Sequence, residues 1–378
     1  MRKSGLYIHI PFCVKKCNYC DFYSLGYADS KRISGYTDAL CTQIEREAPS
    51  YTGVAFDTVF LGGGTPSLLS VEDISHLFKT VRDSLYIAEN AEITIEANPD
   101  TITEERLKAW RECGINRLSI GLQSTDNEML KTLGRIHSFE DFKRGFVLAR
   151  ELGFDNINVD LMYALPNQST NDLIKTLECV CELSPDHISA YCLKIEPSTP
   201  FSKMELALPD EDTQYEMYNE LCTYLSSQGY EQYEISNFAK NGHRCAHNLK
   251  YWQREEYVGL GPCAHSFFDG VRYSYERSVS KYICKIAQGY LPKRIAEDER
   301  ELGVDEKIDE YVMLRLRLCD GVDENEFKTL FGKELFLCYD FDKYVQSGHM
   351  KKTKTGIAFT PKGFFVSNYI LSQILEHI

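Results

Sequence analysis

Leu6-Tyr-Ile-His-Ile-Pro-Phe-Cys13-Val-Lys-Lys-Cys17-Asn-Tyr-Cys20-Asp-Phe-Tyr23 decides the fold of this chain, because a short apolar strand runs directly into a loop carrying three cysteines. The C-x3-C-x2-C spacing puts three thiols in one tight loop, and no fourth cysteine follows until Cys41. Thiolate sulfur is a soft ligand and suits an iron–sulfur cluster. A cubane held by three cysteines leaves one iron without a protein ligand, open to a small molecule. A zinc site would show paired C-x2-C knuckles or regularly spaced histidines. Neither occurs, and His9 lies on the strand before the loop. Cys13, Cys17 and Cys20 are therefore read as cluster ligands.

Outward from that loop the first half of the chain has a repeating rhythm. Short apolar strands are expected at Leu6–Ile10, Thr58–Leu61, Ile93–Glu96, Leu118–Leu122, Ile157–Leu161 and His187–Tyr191. Amphipathic helical stretches fill the gaps at Val71–Ser84, Glu104–Glu112, Phe139–Leu152 and Asn171–Leu183, and Ser30 is the expected cap of the helix after the cysteine loop. Connections too long for hairpins imply parallel strands joined by crossover helices. Six such units fall short of a closed eight-stranded barrel, so the expected fold is α/β, an open, partial TIM-like barrel. A flat doubly wound sheet is the alternative, but Gly62-Gly-Gly-Thr-Pro66 lacks the G-x-G-x-x-G spacing of a dinucleotide site.

Polar or glycine residues gather at the strand ends: Gly62–Thr65, Glu96 with Asn98, Gln123 with Ser124, Asp160, and Ala190 with Tyr191. In parallel βα architectures that edge collects ligands and catalytic groups. The cysteine loop follows the first strand and so opens onto the same rim. The glycines of Gly62-Gly63-Gly64 are expected to bring bare backbone, with its N–H donors, close to a ligand.

Composition sets the setting. The 378 residues carry a formal charge of −14 with 43% hydrophobic residues, which argues against broad nucleic-acid binding. Fourteen cysteines in a chain this long, with no charged-then-apolar leader at Met1-Arg-Lys-Ser-Gly, read as reduced thiols of a cytoplasmic protein.

The cysteine triplet with Tyr19, together with Gly62-Gly-Gly-Thr-Pro66, resembles the radical S-adenosylmethionine (SAM) proteins. More narrowly, Tyr7-Ile-His-Ile-Pro-Phe-Cys13, Gly121-Leu-Gln123, Gly134-Arg135 and Asn158-Val-Asp-Leu-Met162 resemble the HemN/HemW group. That group holds oxygen-independent coproporphyrinogen III dehydrogenases and heme chaperones, and the resemblance covers nearly the whole chain. It implies a 4Fe–4S cluster on Cys13, Cys17 and Cys20 whose remaining iron takes SAM. It also implies SAM contacts from Tyr7, Tyr19, Gly63, Gly64, Thr65, Glu96, Gln123, Arg135, Asp160 and Ala190.

Two features divide the group. Dehydrogenases typically extend the triplet to C-x3-C-x2-C-x-C, whereas Phe22 stands at the last position here. His247-Asn-Leu-Lys-Tyr-Trp252 resembles the chaperones' HNxxYW signature, which makes His247 the expected heme ligand, with Cys245 and His243 as rivals. The expected function is therefore heme handling for heme-requiring, respiratory or other proteins, probed against the alternative of oxidative decarboxylation of coproporphyrinogen III. The implied partners are heme, heme-accepting clients and an electron donor, with room for a homodimer and for peripheral membrane contact through clients. No nucleic acid is expected: Lys351, Lys352 and Lys354 read as a solvated charge run. The expected domains are a radical SAM barrel over 1–235, a connecting segment over 236–302 that carries HNxxYW and the glycine-rich Gly259–Ser266, and a winged-helix-like α+β domain over 303–378. In that last domain the apolar pattern of Leu335–Val345 predicts one helix, and Pro361–Leu375 predicts a closing helix. The glycine-rich stretch is expected either to line the site from the side opposite the strands or to be a tight structural turn.

Overall fold

The computed structural model describes residues 1–26, 29–291, 294–296 and 303–375. All six expected strands form: β1 (Arg2–Ile10), β2 (Val54–Gly63), β3 (Ile87–Ala97), β4 (Arg117–Gln123), β5 (Ile157–Tyr163) and β6 (His187–Cys192). They are neighbours in that order and every pair is parallel. A seventh strand, β7 (Tyr257–Leu260), joins the free edge of β1 in parallel, with Tyr7 opposite Gly259.

Parallel strands covered on both faces usually read as unbroken apolar runs. Here each strand alternates. Leu6, Ile8, Ile10, Val59, Leu61, Ile93, Ile95, Leu118, Ile120, Ile157 and Val159 are buried in one core with Leu40, Ile44, Leu77, Trp110, Phe146 and Leu177 of the surrounding helices. The opposite parity is polar: Thr58, Glu92, Thr94, Glu96, Arg117, Ser119, Asn158, Asp160, His187 and Ser189. A sheet curved around that polar face is an open barrel, so the expected fold class holds.

The helices start where the sequence places caps. Ser70 accepts from the Asp73 N–H, and Ser138–Asp141 and Ser169–Asp172 form reciprocal capping boxes. One expectation needs correction: Asp29, not Ser30, caps the helix Ser30–Glu47, because its carboxylate accepts from the Arg32 N–H.

The stretch 236–302 is not a connector. It supplies β7 and three antiparallel strands beyond it, His265–Phe268, Val271–Tyr275 and Arg294–Ala296, and on the far edge Asn237–Ala239 pairs with β6. Among the described residues, twelve strands thus share one sheet. The end of that stretch, 297–302, lies outside the described residues. Gly259 belongs to β7 itself, where a Cβ would meet the His265 carbonyl oxygen at 2.2 Å, and Gly261 turns the chain at φ +96°. The glycine-rich stretch is therefore a tight turn beside β1, not a lid opposite the strands.

The C-terminal unit is α+β. Helices Val304–Arg315 and Glu324–Phe331 precede a hairpin, Met350–Lys352 with Gly356–Phe359, which Val322–Asp323 extends to three strands. In place of one helix over Leu335–Val345 there are two short ones, Leu335–Cys338 and Asp342–Gln346. The closing helix likewise divides, into Pro361–Phe365 and Ser367–Ile374. Glu310 fastens this unit to the sheet: its two carboxylate oxygens accept from Arg254 and Arg272 at 2.5 Å each, and both guanidinium groups lie over the Phe267 ring.

Candidate cofactor site at the barrel rim

β1 ends at Ile10 and delivers the cysteine loop to the C-terminal edge of the barrel. The loop is pinned from three sides. Leu25 N–H donates to the Pro11 carbonyl, Asn18 N–H to the Leu133 carbonyl, and Phe201 N–H to the Asn18 carbonyl. Tyr19 packs beside Leu133, Met162, Leu165, Leu193 and Phe201, which anchors the middle of the loop. All three thiols stay half-buried. Each has a defined neighbour: the Thr65 hydroxyl lies 3.5 Å from Cys13 Sγ, Arg135 Nη1 lies 3.5 Å from Cys17 Sγ, and burial pushes the Cys20 thiol up to about 11, with Cys17 and Cys13 adding to the rise. Three soft donors carried on one loop, with a hydroxyl beside Cys13 and a cation beside Cys17, have the chemistry for an iron–sulfur cluster, whose sulfurs gain from such outer contacts, although among the described residues they are not drawn together into a closed metal site.

The glycine run serves differently from expectation. Gly63 N–H donates to Glu96 Oε2 at 3.0 Å, Gly64 N–H to the Ile10 carbonyl at 2.8 Å, and Thr65 N–H to the Phe12 carbonyl at 2.7 Å. These N–H groups are used inside the protein, so they are not offered to a ligand. The glycines are needed for packing: a Cβ on Gly63, at φ +111°, would sit 2.4 Å from the His9 ring, and one on Gly64 would sit 2.6 Å from the Phe12 carbonyl oxygen.

Around this seam the other expected residues converge. Arg135 Nη2 donates to Asn98 Oδ1 at 2.7 Å and to the Gly121 carbonyl at 2.6 Å, while its Nε has no partner among the described residues. Gln123 sits at φ +73° after a register shift that follows Gly121. A Cβ on Gly121 would lie 3.2 Å from both the Arg135 Nη2 and the Gln123 Nε2, so these side chains meet over that glycine. His9 Nε2 faces the Tyr23 carbonyl at 3.0 Å, which places the ring proton there. Its Nδ1 then accepts from the Tyr7 hydroxyl at 2.9 Å. Burial holds His9 down at about 4, so the ring is neutral.

Glu96 and Asp160 face the same interior. Burial, reinforced by Asp160, lifts Glu96 to about 8. Burial also raises Asp160, against hydrogen bonds from Asn158 at 2.8 Å and Ser119 at 3.2 Å. Two inward carboxyls that resist joint ionisation suit hydroxyl donors or an ammonium group. Ala190 does not fit as a side-chain contact: its methyl lies in the helix-covered core and its N–H donates to the Ser236 carbonyl at 2.8 Å. Only its carbonyl remains for a ligand, and the side chain turned to the interior is Tyr191.

At the opposite end the barrel floor is closed by the helix Ala246–Trp252. Glu92 caps it, accepting from Ala246 N–H and His247 N–H at 3.0 Å each. His247 is 1% exposed. Its Nδ1 bonds Thr58 Oγ1 at 2.8 Å and its Nε2 bonds the Tyr251 hydroxyl at 2.7 Å, with Phe60 stacked on the ring. Burial holds the imidazole down at about 3. This corrects the expectation of an open iron ligand, since both ring nitrogens are engaged in this conformation. The rival Cys245 is 0% exposed and held as a neutral thiol, pushed up to about 12 by burial, whereas His243 is half-buried. Sequence reasoning missed the floor network altogether, in which His187 bridges Asn158 at 2.6 Å and Tyr233 at 2.8 Å. Inward parity on β5 and β6 was the signal that could have found it.

Residues 7–180 match the Radical SAM superfamily, and residues 302–366 match the HemN C-terminal domain. The chain is 37% identical to the heme chaperone HemW of Escherichia coli, with 98% of each chain covered. The chain belongs to the HemW family of radical SAM proteins. The HemW of Bacillus subtilis is 35% identical over 98% of this chain and 99% of its own length. Among solved structures, the coproporphyrinogen III oxidase HemN of Escherichia coli, a radical SAM enzyme, superposes with a TM-score of 0.85 at 26% identity, covering 98% of this chain and 89% of that one. Membership in this family implies a 4Fe–4S cluster and SAM, and the rim described above has the donors for both. No helix among the described residues is long and apolar enough to cross a membrane.

Proposed function

We propose that this protein is a cytoplasmic heme chaperone: it holds a 4Fe–4S cluster on Cys13, Cys17 and Cys20, takes SAM at the rim, binds heme and passes it to heme-requiring clients. The observation that carries this reading over the enzymatic one is Phe22. It stands where the dehydrogenase loop has a further cysteine and is 72% exposed, an apolar ring presented to solvent beside the thiols. When bound, the cluster and SAM supply one-electron chemistry that no side chain can. The chain's own residues orient them. Arg135 steadies Cys17, Glu96 and Asp160 offer acceptors to hydroxyl or ammonium groups, and Gln123 is aimed inward by its backbone twist. Because His247 is sealed, heme ligation by it requires exchange of the Tyr251 bond for iron, and His243 is the ligand that needs no such exchange.

The test is heme titration of the anaerobically reconstituted protein beside a porphyrin-product assay. Heme uptake and transfer to an apo acceptor are expected, without protoporphyrinogen formation over many turnovers. His247→Ala and His243→Ala then assign the ligand by the heme absorbance band. The second reading, coproporphyrinogen III dehydrogenase, has the HemN superposition in its favour, and multiple turnovers of product would establish it. A wild-type protein that takes up no heme ends the chaperone reading.

A further inference from the structure

Between rim and floor lies a charged group that neither the cluster site nor the His247 network uses. Arg117 opens β4 with inward parity, since Leu118, Ile120 and Leu122 take the core side. It is 2% exposed, among the largest fully enclosed side chains. No ion pair holds it among the described residues, and its Nε has no hydrogen-bond partner. Glu92 and Asp160 favour its charge through space, but no described group accepts from Nε, and an enclosed guanidinium with an unused donor is a costly arrangement.

The nearby carboxylates are committed elsewhere. Glu92 caps the floor helix through two backbone N–H groups and the Cys245 thiol. Asp160 accepts from Ser119 and Asn158, and Glu96 accepts from Gly63 N–H. Directly across the β3–β4 register from Arg117 is Thr94, inward-facing and 0% exposed, whose hydroxyl is likewise without a partner. Two enclosed, unsatisfied donors side by side, one of them cationic, call for an anionic acceptor.

We propose that Arg117 and Thr94 form a carboxylate-binding subsite inside the barrel. It receives a carboxylate arm of the molecule that occupies the interior, with the guanidinium taking the charge and the hydroxyl a second oxygen. A planar guanidinium fork matches a carboxylate in a way a point charge does not. The subsite stands on these two residues alone. That its occupant is a tetrapyrrole propionate rests on the heme reading above.

Sodium propionate is the first probe, titrated at constant ionic strength into the cluster-loaded full-length protein with the thermal midpoint as readout. A saturable rise in Tm is expected in wild type, because a ligand that binds only the folded state stabilises it. Arg117→Met is expected to abolish the rise, Arg117→Lys to weaken the apparent affinity about tenfold, and Thr94→Val about threefold. No saturable rise in wild type, or an equal affinity in Arg117→Lys, overturns the subsite and leaves Arg117 as a water-solvated structural residue. Arg117→Lys decides the matter if Arg117→Met fails to load its cluster. Heme and heme dimethyl ester then identify the source of the carboxylate. Tighter binding of the free acid, lost in Arg117→Lys, assigns the propionate arm, whereas equal binding of acid and ester restricts the subsite to a free small carboxylate. A protein that ignores heme but answers propionate keeps the subsite and loses the heme reading.

Discussion

The two ends of the barrel are built from similar residue types and differ in what has been left open. At the floor, Thr58 and Tyr251 hold His247, Asn158 and Tyr233 hold His187, Glu92 accepts from the helix N–H groups, and both imidazoles are buried. At the rim, the three thiols, Arg135 and Gln123 are held in place, yet the thiols stay half-exposed and Arg135 keeps an unused Nε. A polar group that is satisfied and sealed mainly specifies the fold. One that is oriented but incompletely satisfied is waiting for a ligand. Residue type alone does not separate these cases, and a histidine in a family signature can be the better-satisfied group.

The strongest challenge to this contrast is the cluster itself. Serine at Cys13, Cys17 or Cys20 should abolish most iron and sulfide loading, because oxygen is a poor substitute for thiolate here. Serine at Cys41, buried on the inner face of the helix Ser30–Glu47, should leave it intact. Full loading in the triple-serine variant would remove the rim assignment. Next in size is Gly63→Ala. Its Cβ would overlap the His9 ring at a positive φ, and a loss of about 2–4 kcal/mol in unfolding free energy is expected from strain and overpacking together. A neutral outcome in chemical denaturation would mean that the seam between β1 and β2 can open to admit a methyl group. At the floor, His247→Ala should cost about 2–4 kcal/mol, from the lost ring and two orphaned hydroxyls, while cluster content per folded chain is unchanged. If the cluster is lost as well, floor and rim are not separable.

pH sharpens the same comparison. His247 is held down at about 3 when folded against an ordinary 6.5. As pH falls below about 6.5 the unfolded chain takes up a proton that the folded chain refuses, so stability is lost toward about pH 3. Glu96 runs the other way: with its folded value raised to about 8 from 4.5, the unfolded chain releases its proton first, and stability falls as pH rises from about 4.5 to about 8. In Tm measured against pH, Glu96→Gln should flatten the alkaline side and His247→Ala part of the acid side. An unchanged alkaline slope in Glu96→Gln rejects the inward carboxyl pair. The smallest effect is expected at Phe22: Phe22→Ala should change unfolding free energy by less than about 0.5 kcal/mol, as exposed side chains generally do, while weakening heme uptake if the exposed ring contacts the macrocycle.

Much of the rim is legible in the amino-acid sequence, and little of the floor. The strands β1–β6 show themselves as short apolar runs set between amphipathic helical stretches. The cysteine loop carries its reading in two spacings. What escapes has no local signal. Gly259 and Leu260 read as the start of a glycine-rich loop because their partner strand lies about 250 positions earlier, and only that pairing makes them part of β7. The state of His247 depends on Thr58, 189 positions away, so HNxxYW marks the kinship and says nothing of whether the ring is open. Ala190 escapes for a simpler reason: one step of strand parity separates a core methyl from the interior face that Tyr191 occupies.

The place of β1 in the sheet has a consequence for how the protein is made. Its nine residues are translated long before those of β7, and one edge can pair with β2 once residue 63 has emerged. The other edge must wait for Tyr257–Leu260, which at ordinary elongation rates is a delay on the order of 10 s or more. Throughout that interval a growing chain carries an open strand edge next to three unliganded thiols, the condition most prone to wrong pairing. Nascent chains stalled before residue 257 should therefore be cleaved readily by protease around β1, and chains released beyond residue 275 should not. Synthesis, rather than refolding of the finished protein, is where a chaperone would need to attend to this chain.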